Sequence, residues 1–147
     1  MESPYEAAGG ADGIHEIARA WHQRVLADPV VSHAFSHGFR DDHTDRLAAY
    51  LGEALGGPPT YTASLGDHSS VVRMHSGNGT HEEMDRRAIA CFDAALAEVG
   101  LDGEVARTLL EYFAWATTVA MAGYPDAASV VPEDLAMPHW SWRGLES

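Results

Sequence analysis

Four stretches of this chain repeat apolar residues at three- and four-residue spacing, and glycine or proline follows each of them. No strand-like alternation competes, so the pattern specifies an all-α fold. The first runs from Ala11 to Asp28 with Ile14, Ile17, Ala18, Trp21 and Val25, and Pro29 ends it. The second covers about Asp41 to Leu55, where His43, Leu47 and Leu51 lie one turn apart, before Gly56-Gly57 and two prolines. The third begins at Thr80-His81-Glu82-Glu83, which reads as a capping box, and stripes Met84, Ala88, Cys91, Phe92, Ala95, Leu96 and Val99 up to Gly100. The fourth, roughly Asp102 to Ala122, carries Val105, Leu109, Tyr112, Phe113, Ala116 and Val119 before Gly123 and Pro125.

What joins and follows these helices is less regular. About two dozen Gly-, Pro-, Ser- and Thr-rich residues separate the second from the third, long for a structureless connection and usually a sign of function. Residues 1–123 read as one helical domain, and 124–147 as an irregular extension packed by Trp140 and Trp142 or partly disordered. The 147 residues fit a single domain. Nine arginines, no lysine and 22 acidic residues give a net charge of −13, which repels phosphate backbones and anionic membranes. Neither nucleic acid nor a membrane is an expected partner. Met1 to Gly13 carries no basic residue and no signal-peptide pattern, so a cytoplasmic protein is expected. Cys91 is the single cysteine and reads as a packed thiol.

Nine histidines in a helical domain call for hydrogen-bond partners or a metal wherever an imidazole is buried. His75 closes the run Val71-Val72-Arg73-Met74-His75. Spacing alone leaves it either a surface residue at a loop end or a ring beside an apolar patch. His22 shares a helical face with Ala18 and Leu26, and His43 with Leu47; for each, a half-exposed flank of the apolar stripe is the plain alternative. His33 and His37, four apart, could form a small zinc site with Asp42 or His43.

Five pieces in one order resemble the group II truncated haemoglobins, short bacterial globins built as two helices over two. They are Tyr5-Glu6-Ala7-Ala8-Gly9-Gly10, Trp21-His22-Gln23-Arg24-Val25-Leu26-Ala27-Asp28, Arg46-Leu47, the Gly-Gly-Pro turn with Thr60-Tyr61, and Gly66, His68 and Arg73-Met74-His75. The match spans about residues 4 to 122. The resemblance implies haem b as cofactor and His75 as the proximal iron ligand, with Arg73 beside it. It implies Arg46 and Tyr61 near the haem propionates, Phe35 against the distal face of the ring and Leu47 as the adjoining apolar wall. A solvated arginine and a packed loop tyrosine remain the alternatives for Arg46 and Tyr61.

The chain departs from the family where ligands meet the iron. Group II proteins usually place a tyrosine in the first long helix and a tryptophan in the penultimate one; here stand His22 and Ala88, and His43 occupies a position that is usually small. Exchanging an indole for a methyl is expected to open room beside Ala88. The loop Ser76-Gly77-Asn78-Gly79 replaces a usual Ala-Pro-Phe and is expected to loosen or wet the haem edge. These departures leave four readings. One is a globin binding oxygen or another diatomic gas, with His22 or His43 hydrogen-bonded to the ligand. Another is a haem-dependent oxidative enzyme using peroxide or oxygen on a small organic substrate, in which His22 and His43 move protons. The third is a six-coordinate protein with His43 opposite His75, and the fourth is the zinc protein. The oligomeric state stays open.

Overall fold

The computed structural model describes residues 2–146. The chain enters through a one-turn helix, α1 (Pro4–Ala7), whose N-cap Ser3 accepts a hydrogen bond from the Glu6 amide, with Pro4 in the first turn where no amide is needed. The four expected helices follow as α2 (Gly10–Ala27), α3 (His43–Ala54), α6 (Glu82–Glu98) and α7 (Gly103–Trp115). The long connection is not structureless: it folds into α4 (Thr60–Ser64) and α5 (His68–Met74), and Val31–Phe35 makes a 3-10 turn after α2. These pieces are too short to show a full apolar period in sequence.

Helices α2 and α3 pack together, as do α6 and α7, and α2 also lies against α6, so two helix pairs enclose one core. Ile14, Ile17, Leu55, Phe92, Leu96, Leu109 and Tyr112 fill it at 1 % exposure or less. Phe92 and Phe113 stack at 4.1 Å across the α6–α7 contact. Helix α3 stops at a left-handed Gly56 (φ 103°), and a Cβ at Gly57 would come within 2.7 Å of the Tyr5 ring. That close approach lets the amino-terminal turn seat on the end of α3, sealed by the Tyr5 amide donating to the Leu55 carbonyl at 3.0 Å.

Two helix ends differ from the sequence expectation. The capping box at Thr80 does not form: His81 is the N-cap of α6 and makes no side-chain cap, its Nδ1–H instead donating to Asp85 Oδ1 at 2.8 Å. Glu82, Glu83 and Asp85 in the first turn oppose the positive helix end in its place. The last helix widens after Trp115 into a π turn, Ala116–Ala120, with the Met121 amide bonded to the Ala116 carbonyl. Thr118 Oγ1 donates to the Ala114 carbonyl at 2.7 Å, a back-bond that competes with the α ladder there.

The carboxy-terminal extension packs along the molecule. Trp140 is buried against Tyr112 and Trp115, with ring centroids at 5.9 and 5.5 Å. Its strand β1 (Trp140–Ser141) pairs antiparallel with β2 (Gly144–Leu145), a short hairpin that no alternation in the sequence announces. Trp142 Nε1 donates to the Glu2 carbonyl, and the Leu135 amide donates to Ser69 Oγ on α5. Earlier in the extension, the carbonyls of Tyr124 and Pro125 accept from the amides of Gly77 and Gly79. These two bonds tie the loop after His75 to the extension.

Candidate functional site

Helix α5 is built to present its last residue. Asp67 caps it through the Ser70 amide, Val71 and Val72 bury one face, and Ser76 Oγ closes the end on the Val72 carbonyl at 2.6 Å. His75 is the C-cap, and its Nδ1–H donates to the Val71 carbonyl at 2.8 Å. A carbonyl can only accept, so the proton sits on Nδ1 and Nε2 carries a bare lone pair, the arrangement a metal-ligating imidazole needs. Surrounding protein pushes the His75 pKa below its ordinary value, while the ring itself stays exposed. Next to it, His81 and Asp85 border a concavity of about 530 Å3 with Gly79, Ile89, Thr118 and Ala122.

A second group of side chains gathers from three segments. His22 on α2 is 7 % exposed, Phe35 ends the 3-10 turn and His43 opens α3. The His22 ring lies 4.7 Å from His43 and 5.2 Å from Phe35, centroid to centroid. Phe39, which sequence reasoning missed, covers His22 edge-on at 4.7 Å although half of its own surface faces solvent. Its one sequence signal is its place four residues after Phe35, in a stretch with no periodicity. Both ring nitrogens of His22 and Nδ1 of His43 are buried without a hydrogen-bond partner. Burial lowers both pKa values, and the charges of His22 and His75 lower that of His43 further. The two histidine groups are therefore within electrostatic reach, with His43 between. Leu47, one turn after His43, is half-buried against the core.

Other expected site residues are engaged differently. Arg46 Nη2 donates to the Leu65 carbonyl at 2.9 Å and its guanidinium carbon lies 5.8 Å from the centroid of the Tyr61 ring, so these two hold the α3–α4 region together. Tyr61 itself is buried, and Arg73, half-buried, has no ion pair among the described residues. Ala88 is buried with Val25 and Val31, and Trp21, Phe35, Met84 and Cys91 pack around that cluster. Trp21 Nε1 donates to the Ala88 carbonyl at 3.0 Å. The zinc reading is corrected: His33 and His37 are exposed, and among the described residues no three metal-binding side chains converge.

The residues fit a planar iron macrocycle. His75 offers a nitrogen free for a metal, His22 and His43 carry buried imidazole nitrogens without partners, and Phe35 and Leu47 add apolar surface. Comparison with known proteins agrees. Residues 3–121 match the family model of the bacterial-like globins. The group 2 truncated hemoglobin YjbI of Bacillus subtilis (strain 168) is 27% identical over 105 residues, 71% of this chain and 77% of YjbI. The hemoglobin of the thermophilic phototrophic bacterium Chloroflexus aurantiacus superposes with a TM-score of 0.71 at 26% identity, covering 82% of this chain and 98% of its own. The thermostable hemoglobin of the actinobacterium Thermobifida fusca does so at 0.69 and 29%, covering 82% and 96%. The group II truncated hemoglobin of Bacillus anthracis, 22% identical, shares the fold at 0.74 over 85% of this chain and 94% of its own. The chain belongs to the bacterial-like globin family, a family of haem b proteins, and is similar to the group 2 truncated hemoglobin named above.

Proposed function

We propose that this globin binds a diatomic gas, oxygen foremost, at a haem iron held by His75 Nε2. The observation that carries the reading is the His75 tautomer, fixed by the Val71 carbonyl at 2.8 Å. Haem iron supplies, when bound, the open coordination position at which a small ligand is taken up. On the opposite side His22, neutral because burial disfavours its charged form, offers one N–H to the ligand and one lone pair. Phe35 and Phe39 keep water from that imidazole. Spectra of the ferric, ferrous and carbon-monoxide-treated protein test this in His75→Ala, His43→Leu and His22→Leu. Haem is expected to be lost in the first variant alone, and oxygen to leave His22→Leu about tenfold faster, the worth of one hydrogen bond. Haem retained by His75→Ala and lost from His43→Leu refutes the proximal assignment.

A second reading has one observation in its favour, the contact of two neutral imidazoles, His22 and His43, at 4.7 Å. Such a pair can take a proton on one ring and release it from the other, as oxidation of a small organic substrate by peroxide requires. Peroxide-dependent turnover that survives replacement of both residues by leucine removes that role. A low-spin ferrous spectrum without added ligand would instead support His43 as a sixth ligand. The proposal places the protein in the cytoplasm; no described helix is long and apolar enough to cross a membrane.

A further inference from the structure

One buried polar pair lies outside the ligand site. Tyr50, on α3 two turns after His43, places its hydroxyl oxygen 2.7 Å from His68 Nδ1, a hydrogen bond in which the Nε2–H tautomer of His68 accepts the phenolic hydrogen, with both residues under 10 % exposed. The rings stack at 6.0 Å and 21°, and Tyr61 meets Tyr50 edge-on at 5.4 Å. Leu65, Val71, Met121 and Met137 complete a dry surrounding. Val71, whose carbonyl holds His75 Nδ1–H, belongs to the same buried cluster as Tyr50 and Tyr61.

We propose that Tyr50 is a redox-active tyrosine, giving one electron to the haem after a hydroperoxide has oxidised it while its phenolic proton passes to His68 Nδ1. This rests on the haem reading above. The hydroperoxide takes up two electrons and two protons as its O–O bond breaks, leaving water and an alcohol, or two waters from hydrogen peroxide. Tyr50 supplies one of those electrons and the haem group the other. The products at the pair are a neutral phenoxyl radical and an imidazolium. Two one-electron donors from solution, such as phenols, then restore the tyrosine and the haem group, their two protons balancing those taken up by the hydroperoxide, and His68 returns its own to Tyr50 Oη. The pair thus extends oxidation to reductants that never reach the cage around His22.

Burial and the neighbouring Tyr112, Tyr61 and Glu53 drive the Tyr50 pKa far above that of an ordinary phenol, so a phenolate is closed to it and the electron must leave together with the proton. His68 is ready to receive it: burial keeps its pKa low and its ring neutral, while the Asp67 carboxylate favours the charged form once a proton arrives. Among the described residues Tyr50 is the one buried tyrosine hydrogen-bonded to an imidazole, and Tyr112 Oη has no partner.

The test is freeze-quench electron paramagnetic resonance of the haem-loaded protein mixed with hydrogen peroxide. A tyrosyl signal is expected in the parent protein and in Tyr112→Phe, and is absent from Tyr50→Phe. His68→Gln keeps a hydrogen-bond acceptor but cannot take a proton, so it holds haem normally and loses about tenfold or more in radical yield. Formation of the radical slows in heavy water. An undiminished tyrosyl signal in Tyr50→Phe, or full yield in His68→Gln, overturns the proposal while leaving haem binding intact. A protein that takes up no haem overturns both, and the absorption spectrum separates the two failures.

Discussion

Replacing His22 by leucine raises the stability of the haem-free protein. In the native structure this imidazole is 7 % exposed and neither nitrogen has a partner. Each buried polar atom left unsatisfied costs about 1–3 kcal/mol. Leucine removes both and keeps much of the apolar contact, forfeiting the edge-on arrangements with Phe35 and Phe39, worth about 0.5–1.5 kcal/mol each. The balance is a gain of about 1–2 kcal/mol, which moves a urea midpoint at 25 °C upward by roughly 0.5–1 M for a domain of this size. The gain has a pH signature. Burial lowers the folded-state pKa of His22 below 6.5, so the unfolded chain takes up its proton first and folding weakens as pH falls through that value. At pH 5.5 this term amounts to at most about 1.4 kcal/mol, and His22→Leu is free of it. The assay is a pair of urea titrations at pH 7.5 and 5.5 with unchanged slopes. A leucine variant less stable than its parent at both values refutes the reasoning, because the imidazole would then be satisfied rather than held in reserve for a ligand.

Two further substitutions probe how the fold frames the site. Glu53 is 4 % exposed and its carboxylate accepts both the Thr62 amide at 2.9 Å and Thr62 Oγ1 at 2.7 Å, tying α4 to α3. Glu53→Ala strands that amide and is expected to lower the unfolding free energy by about 2 kcal/mol in the same titration; an unchanged midpoint contradicts it. Trp140→Ala empties the contact with Tyr112 and Trp115 and is expected to cost about 3 kcal/mol, measured on the full chain, whereas an extension merely lying on the surface would cost well under 1 kcal/mol.

The four long helices were readable because each buries a full apolar stripe, and burial dictates the period. The missed elements are those whose shape is set from elsewhere. Helix α5 exists in seven residues because Asp67 caps it and Ser69 Oγ binds the extension at Leu135. Thr80 fails as a cap because His81 turns to Asp85 instead, a choice no spacing rule distinguishes. The π turn at Ala116 follows from a threonine back-bond, and threonines at such positions are common in ordinary helices. Arg46 and Tyr61 were placed by resemblance, and no spacing in the sequence announces the contact between them.

The two sides of the site differ in the same physical sense. The contacts that set the His75 ring itself lie between Asp67 and Ser76: the cap, the Val71 carbonyl that fixes the tautomer and the hydroxyl that closes the helix. Contacts that local survive in a short motif and can be read from one. The opposite cage draws on positions 22, 35, 39 and 43, brought together only when α2, the 3-10 turn and α3 have packed. No pairwise spacing predicts a 4.7 Å contact between rings 21 residues apart in sequence. Because the cage makes no hydrogen bond to α5, substitutions within it leave the tautomer of His75 untouched. Under the proposed function such a chain can exchange its distal chemistry while keeping its means of holding iron, the unpartnered nitrogens of His22 and His43 being the place to do so.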